Sequence, residues 1–539
     1  MTGVTILRTF VSNSVRRTLS LKRTISLKKG LKIFGKVTFP KDNLKKTKKI
    51  MVGYLLLAVY CICILFTTFY CIMQLDLLFW YRKPKKEILP ILANYPTVTI
   101  QLPLFNEAYV SARLIDNIVK LDYPADKLEI QVLDDSNDET VEIVAAKVAE
   151  YQAKGVNIVH VRRPDRSGFK AGALRDGLTM TDSEFVAIFD ADFLPKADFL
   201  KETIPHFFKD EKIGVVQTRW EHLNEDYSLI TKLQAMQLNV HFTVEQAGRQ
   251  RGGFWLQFNG TAGVWRRATI EDAGGWHSDT LTEDLDLSYR AQLKGWKIEF
   301  LEHVGTPSEL PAEMNALKAQ QFRWMKGGAE NARKLLKLVW DAPLSTPQKV
   351  HATQHLMASG LFFAVLISAV VSVPLVYFID KLTFDTKLFF VSLAGLFSIV
   401  SLSMVANMQD YNLGGKSRWE KAFSMILIFP IFLSMSMGMS LHNAIAVWEG
   451  YSGRKSPFVR TPKVGLDGNK AFSKGLYMPR NLPTSTIVEG FLSLYFIFGL
   501  YSSIITGVLE FQIFHGMLAF GFGAICFYSI RHHMIAQNA

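Results

Sequence analysis

Residues 185–192, FVAIFDAD, are a short apolar run that ends in two aspartates separated by one residue. An uninterrupted apolar run of this length predicts a strand buried on both faces of a parallel sheet. Similar runs lie at 98–104, 128–133 and 156–161, with helical stretches of roughly 10 to 15 residues between them. The pattern predicts an α/β domain whose ligand site lies beyond the carboxyl ends of its strands.

Acidic residues follow two of these predicted strands. Asp134 and Asp135 come directly after the run 130–133, and Asp190 and Asp192 close the run 185–189. Two carboxylates spaced by one residue can bind one hard divalent cation, which keeps its other sites for diphosphate oxygens and water. An Asp-rich turn explains either motif alone equally well. Both motifs together, on separate strands of one sheet, favour a metal and nucleotide site.

A basic segment precedes the predicted strand at 185–189. It places Arg166 and Lys170 just before a predicted helix, where a cation adds to the attraction of the helix start for phosphate. A solvated basic loop would have the same composition, so the segment by itself indicates phosphate binding only weakly.

A second acidic segment opens a predicted helix that runs to residue 293. Thr282 is the expected N-cap, and Glu283 and Asp284 lie in the first turn. Acidic first turns also stabilise helices through the helix dipole, so this motif alone leaves a catalytic role open.

A predicted helix over about 311 to 340 carries an anion-binding residue beside an aromatic one. Gln320, Arg323 and Trp324 share one face of it at three- and four-residue spacing. An Arg fork can hold a diphosphate, and a Trp ring offers a sugar an apolar platform. The alternative is a helix at a membrane interface, with Trp324 in the interface and Arg323 solvated.

Long apolar segments flank this polar region. The segment 51–80 is charged only at Asp76 and is long enough to cross a bilayer, which needs roughly 20 helical residues. Further candidate spans follow at about 354–378, 386–408, 419–448, 484–506 and 510–530. All four cysteines lie in apolar segments and predict neither a disulfide framework nor a zinc site.

The net charge of +13 is concentrated in residues 1–50, which carry fourteen Lys or Arg against one acid, Asp42. Beside a membrane span, such a tail indicates contact with anionic lipid or the cytoplasmic side, in preference to nucleic acid. We therefore expect membrane lipids, and no nucleic acid, as partners.

In this order the motifs resemble those of the processive family 2 membrane glycosyltransferases. That family includes cellulose, hyaluronan and chitin synthases, and the similarity is greatest to cellulose synthase-like mannan and glucan synthases and their bacterial relatives. The matching motifs are LDDSND at 133–138, DAD at 190–192, VQTRW at 216–220, FNGT at 258–261, TED at 282–284 and QQFRW at 320–324.

The resemblance implies a glycosyltransferase A-type domain, Rossmann-like with a mostly parallel sheet, inserted in an α-helical transmembrane bundle. The implied domains are a basic tail (1–50), a transmembrane helix (51–80), the glycosyltransferase domain (95–340), a transmembrane bundle (341–530) and a C-terminal tail (531–539). Within the bundle, an interfacial or re-entrant segment (419–448) would be followed by a gating-like loop (451–482).

The same resemblance implies a role for each motif residue. The implied general base is Asp284, the metal ligands for Mg²⁺ or Mn²⁺ are Asp190 and Asp192, and the nucleotide and diphosphate contacts are Asp134, Asp135, Lys170 and Arg323. The implied acceptor site comprises Gln320, Trp324, Phe258, Asn259, Gly260 and Glu283, and the implied gate comprises Phe458, Thr461 and Lys463. In place of FNGT, cellulose synthases carry a Cys-containing motif.

The implied activity is an inverting transfer of hexose from UDP-glucose or GDP-mannose to the end of a β-linked polysaccharide, coupled to its translocation. The alternative is a non-processive transferase that glycosylates a lipid such as ceramide or diacylglycerol. We expect a multi-pass protein of the plasma or inner membrane or of the Golgi, with a cytosolic catalytic domain and a homo-oligomeric state or accessory subunits.

Overall fold

The computed structural model describes residues 41–82, 89–379, 382, 389–456 and 482–538. Its first helix, α1 (Lys41–Tyr81), contains the predicted span 51–80. Residues Gly53–Ala539 form one compact unit. The greater part of the basic tail, and Phe458, Thr461 and Lys463 of the predicted gate, lie outside the described residues.

A seven-stranded sheet forms the centre of the polar region, in the order β3-β2-β1-β4-β6-β5-β7. Only β6 runs antiparallel to its neighbours, so the predicted mostly parallel sheet is confirmed. Its strands are β1 (Val98–Leu104), β2 (Leu128–Asp134), β3 (Ile158–Arg162), β4 (Phe185–Ile188), β5 (Ile213–His222), β6 (Gly263–Arg266) and β7 (Lys297–Ser308).

Helices cover both faces of the sheet, as the apolar strands require, because β1 and β4 are buried along almost their whole length. These helices are α2 (Ser111–Ile118), α3 (Thr140–Ala153), α4 (Phe169–Leu178), α5 (Phe199–Thr203), α6 (Leu229–Val240), α7 (Gln246–Gly252), α8 (Arg267–Asp272) and α9 (Glu283–Leu293). A single π-helical turn, His241–Glu245, joins α6 to α7.

The register of the parallel strands brings the acidic motifs together. Leu104 pairs with Asp134, so β1 and β2 end side by side, and β4 lies on the other side of β1. Because parallel strands end at one edge of a sheet, the residues after β1, β2 and β4 face the same crevice.

The remaining helices build the α-helical part of the chain. They are α10 (Met314–Asp341), α11 (Thr346–Leu356), α12 (Gly360–Leu375), α13 (Phe389–Asn407), α14 (Arg418–Gly438), α15 (Ser440–Ser452), α16 (Thr484–Thr506) and α17 (Leu509–Asn538).

Several helices of the protein, including α1, are long and apolar enough to cross a membrane. In the described part of the chain they are Lys48–Tyr81, Arg418–Gly438, Thr484–Thr506 and Leu509–Ile535. Helices α11 and α12 meet at 65° and together have the length and composition of a fifth, broken span. The segment 419–448 is divided between α14 and α15, and its interfacial or re-entrant nature stays a prediction, as do the domain boundaries.

Helix α10 contacts two helices of the α-helical part through two buried lysines. Lys318 Nζ donates to Glu489 Oε2 of α16 at 2.6 Å. Further along α10, Lys326 Nζ lies 3.2 Å from Glu449 Oε2 of α15. The helix that carries the QQFRW motif is therefore held by charged contacts to two bundle helices.

Candidate active site

The two aspartates after β2 are both held by the protein itself. Asp134 is buried, and its carboxylate accepts from His160, Arg162 and the backbone N–H of Ser136. Burial favours its protonated form, but these bonds outweigh burial and lower the pKa of Asp134 to about 2. Asp135 instead accepts two hydrogen bonds from Arg163, at 2.5 and 2.9 Å.

The position of Lys170 is set by its helix. Gly168, with φ +71°, allows the sharp turn into α4, and Lys170 lies in the first turn. Its ammonium donates to Asp190 Oδ1 at 2.5 Å and to the carbonyl of Gly260 at 2.9 Å. Burial disfavours the charged form, but the carboxylates of Asp190 and Glu283 outweigh it and raise the pKa of Lys170.

The second metal candidate, Asp192, lies two residues further along the same turn. Asp192 is buried, whereas the Asp190 side chain is about a third exposed. Two carboxylates at a strand end are the hard oxygen ligands that Mg²⁺ and Mn²⁺ prefer, so the donor set fits the predicted ion.

Asp284 lies half-buried at the start of α9, beside Gly260. A Cβ atom at Gly260 would approach Asp284 Oδ2 to 3.0 Å, which shows how closely the FNGT backbone passes the carboxylate. Burial and the neighbouring charge of Glu283 raise the pKa of Asp284 to about 7. Burial, helped by Asp190, also raises the pKa of Glu283. A carboxyl group with a pKa near neutrality is matched to general-base catalysis.

Thr282 is the N-cap residue of α9, as predicted, but its side chain does not cap the helix. Its side chain makes no capping bond to α9 and instead accepts a hydrogen bond from Asn331 Nδ2 of α10 at 2.9 Å. A Cβ at Gly327 would collide with the Thr282 side chain, so α9 and α10 approach closely at this point. This contact places the start of α9 against the helix that carries Arg323.

Arg323 brings a second cation toward the same carboxylates. Burial lowers the pKa of Arg323 to about 10, while attraction to Asp190, Glu283 and Glu107 opposes this shift. The guanidinium therefore stays charged at neutral pH. Gln320 and Trp324 lie within one turn of it on α10, partly exposed.

The FNGT motif divides between the core and the site. Phe258 is fully buried and packs edge-on against Trp265, so its implied contact with the acceptor is wrong for the side chain. Thr261 accepts from the backbone N–H of Asp190 at 2.8 Å. Gly260, just before Thr261, lies next to Lys170 and Asp284.

A separate group of potential metal ligands lies on the other side of α9. His277, Asp279 and Asp286 come close enough to hold an ion. However, Lys334 Nζ lies 2.8 Å from carboxylate oxygens of both Asp279 and Asp286, and Arg290 binds Asp286 at 2.8 Å. The protein already supplies the balancing cations here, so we interpret this group as an ion-pair network that holds α9 against α10.

The comparisons with known proteins agree with this geometry. Residues 96–327 match the family model described as "Glycosyltransferase like family 2". Glucomannan 4-beta-mannosyltransferase 2 of Arabidopsis thaliana is 35% identical over 447 residues, which cover 79% of this chain and 80% of that protein. The chain belongs to the family 2 glycosyltransferases.

Other members of the family match over shorter lengths. Glucomannan 4-beta-mannosyltransferase 1 of Oryza sativa subsp. japonica is 41% identical over 294 residues, 52% of this chain. The chain spans 56% of the length of that relative. Among solved structures, a mannosyltransferase of Pyrobaculum calidifontis, in complex with GDP-Man and Mn²⁺, is 18% identical with a TM-score of 0.49, over 75% of this chain and 99% of that one.

Some residues at this glycosyltransferase site were not predicted from the sequence. The loop after β1 carries Phe105, on whose ring the Arg166 guanidinium lies at 3.3 Å, and Glu107, whose charge acts on Arg323. The rule that found Asp134 and Asp190 applies equally to the residues after β1, and would have found this loop. His241, which contacts Asn259, lies mid-helix and carries no such local signal.

Proposed function

We propose that the protein is an inverting β-hexosyltransferase that adds mannose from GDP-mannose to the end of a β-1,4-linked polysaccharide. The observation that carries the proposal is the grouping of Asp284, a carboxyl group with a pKa near neutrality, with the cations Lys170 and Arg323 around Asp190. This grouping supplies a base for an acceptor hydroxyl and positive charge for a departing diphosphate.

In the proposed reaction, the acceptor hydroxyl attacks C1 of the α-linked donor while Asp284 takes its proton. The bond between C1 and the diphosphate breaks in the same step, and Lys170 and Arg323 stabilise the negative charge that leaves. One displacement inverts the anomeric configuration, so one base suffices and no covalent sugar intermediate is needed.

Asp190 and Asp192 would hold Mg²⁺ or Mn²⁺. When bound, the ion supplies Lewis-acid stabilisation of the diphosphate. The contact between Lys170 and Asp190 supports this assignment, because the cation that would bind the diphosphate lies beside a carboxylate that would hold the ion.

The choice of mannose comes from the relatives, whose names describe glucomannan 4-beta-mannosyltransferases. UDP-glucose is the second donor to be tested, because Lys170 and Arg323 would bind the diphosphate that both donors share. We propose further that the polysaccharide grows into a long polymer and passes through the helical bundle. The proposal also places the catalytic domain on the cytosolic side.

Product analysis tests the proposal. Full-length protein in lipid nanodiscs with Mn²⁺ would receive labelled GDP-mannose and UDP-glucose in parallel, with Asp284→Asn as the inactive control. We expect an ethanol-insoluble product from GDP-mannose that a β-mannanase degrades and that the variant does not form. Label confined to a lipid extract would instead identify a lipid glycosyltransferase, and no transfer from either donor would refute the proposal.

A further inference from the structure

A chain of polar contacts connects the first candidate span to the FNGT motif. Gln74 of α1 is buried, and its Nε2 donates to Glu245 Oε1 at 2.6 Å. Glu245 Oε2 lies 2.9 Å from Nδ1 of His241, and Nε2 of the same ring lies 2.9 Å from Asn259 Oδ1. Each contact is short, and together they run from an apolar helix to the residue before Gly260.

The carboxylate fixes the orientation of the histidine ring. Burial favours protonated Glu245, but the hydrogen bond and charge of His241, with Arg249 and Gln74, outweigh burial and lower the pKa of Glu245. An ionised carboxylate only accepts hydrogen bonds, so Nδ1 of His241 carries a proton and the ring is held by it. Nε2 faces Asn259 Oδ1, which is also an acceptor, so both ring nitrogens donate in this arrangement.

Two neighbours hold the oxygen end of the Asn259 amide. Besides His241, Gln257 Nε2 donates to Asn259 Oδ1 at 2.8 Å, and Gln257 is itself fixed through its Oε1 by His355 Nε2 at 3.0 Å. The other end of the amide, Nδ2, is buried and has no hydrogen-bond partner within the described residues. A fixed amide with an unsatisfied donor is suited to an oxygen atom of a ligand.

The place of this amide in the site indicates which ligand it meets. Asn259 precedes Gly260, whose carbonyl accepts from Lys170 and whose Cα passes Asp284. A hydroxyl that loses its proton to Asp284 would therefore belong to a sugar lying over this part of the backbone.

The local backbone is itself unusual at this point. His241 and Glu245 are the first and last residues of the π-helical turn between α6 and α7. Such turns are rare and frequently lie at functional sites, which agrees with a role beyond helix packing.

The cavity beside the Gln74 end of this contact chain is too small for a sugar. A cavity of about 30 Å³ lies beside Tyr70, which accepts from Gln74, and is lined also by Phe66 and Gln354. That volume holds a water molecule and is far too small for a hexose. No hexose fits in this cavity, which leaves Asn259 as the end of the contact chain that can face a sugar.

We propose that His241, held by Glu245 and Gln74, is a positioning residue that aims the Asn259 amide at a hydroxyl of the acceptor sugar. This inference rests on the proposed glycosyl transfer and assigns to it three residues outside the catalytic motifs. Its consequence is that the contact between Gln74 of the first span and Glu245 contributes to the affinity for the acceptor.

The test separates acceptor binding from donor binding in nanodiscs. We expect His241→Ala and Glu245→Gln to raise the KM for a β-linked mannohexaose about tenfold and to change the KM for GDP-mannose less than twofold. The matched control is Asp76→Asn, because Asp76 lies on the same span and binds His351 of α11 at 3.0 Å, away from Asn259. It should leave both KM values within twofold of the wild type.

A double-variant comparison distinguishes positioning from general damage. If His241 acts through Asn259, His241→Ala adds no further loss in the Asn259→Ala background. Additive effects, an equal rise of both KM values, or a rise in Asp76→Asn as large as that in His241→Ala would overturn the inference.

Failure of the proposed function is distinguishable from failure of this inference. If the wild type transfers no sugar, binding of mannohexaose to the donor-free protein, followed by tryptophan fluorescence, replaces KM. A tenfold weaker dissociation constant in His241→Ala but not in Asp76→Asn supports positioning, and equal binding in all variants refutes it.

Discussion

The ammonium of Lys170 lies 2.5 Å from Asp190 Oδ1. The charges of these two residues have opposite effects on a diphosphate. Lys170 attracts a phosphate group, whereas Asp190 repels it unless a divalent cation lies between them. In the structure the lysine neutralises the aspartate, so a divalent ion that binds Asp190 must compete with the charge of Lys170. The first prediction follows from this competition.

Replacing Lys170 should tighten metal binding while it slows transfer. In Lys170→Met, Asp190 loses its neighbouring cation, and we expect Mn²⁺ to bind the donor-free protein several-fold more tightly in an EPR titration. Transfer should fall at least 100-fold, because the departing diphosphate loses a cation. Asp190→Asn is the control that should abolish the tight binding; unchanged Mn²⁺ affinity in Lys170→Met would show that the two cations do not compete.

Transfer should depend on the ionisation of Asp284. Because the pKa of Asp284 is raised to about 7, the ionised carboxylate that acts as the base becomes protonated as the pH falls through 7. We expect kcat/KM to be constant above about pH 8 and to fall tenfold per pH unit well below pH 6. Asp284→Asn should lower kcat by about 10² to 10⁴ above pH 8, and the difference should shrink at lower pH, where the wild type loses its base. A flat profile between pH 5.5 and 8 would contradict the assignment of this base.

The raised pKa also predicts the effect of Asp284→Asn on stability. A carboxyl group with a raised pKa in the folded state stabilises the fold below its unfolded pKa, and that contribution is lost as the pH rises through about 7. The neutral asparagine avoids this loss. We therefore expect the variant to unfold at a higher temperature than the wild type at pH 8, and the difference to shrink at pH 5. A larger difference at pH 5 would reverse the sign and reject the raised pKa.

Gly260 should tolerate no side chain. Its φ of +81° is strained for alanine, and the added Cβ would lie 3.0 Å from Asp284 Oδ2. Gly253 is a matched control, with φ +70° and no atom within 4 Å of such a Cβ. Both alanine variants should lose about 1 to 2 kcal/mol of stability from the backbone alone. Only Gly260→Ala should also lose transfer, by about 100-fold; equal activity in the two variants would show that contact with Asp284 is unimportant.

The buried pair Lys318 and Glu489 should show strong coupling in stability. Their side chains are 3% and 0% exposed and 2.6 Å apart. Lys318→Met leaves a buried carboxylate unpaired, which costs about 3 to 5 kcal/mol, whereas the double variant Lys318→Met/Glu489→Leu should recover much of this loss. Thermal unfolding in nanodiscs measures both. If the double variant is no more stable than Lys318→Met, the unpaired Glu489 carboxylate is not the cause of the lost stability.

Local sequence determined the sheet, the sheet edge at which the acidic motifs meet and the long helix α10. Apolar runs, their spacing and the aspartates that follow them are properties of neighbouring residues, and they predicted strands close to the observed β1, β2, β3 and β4. The order of six motifs identified the family. The same local rule, applied to the end of β1, would have found Phe105 and Glu107.

Only the tertiary structure decided which motif side chains reach the site. Phe258 lies in the core because it packs on Trp265, and Thr282 binds Asn331, 49 residues away, instead of capping its own helix. Lys170 meets the Gly260 carbonyl across 90 residues of sequence, and Gln74 meets Glu245 across 171. Such contacts depend on how whole elements pack. The spacing of neighbouring residues sets which elements form, but it carries no information about which distant side chains will share a buried partner.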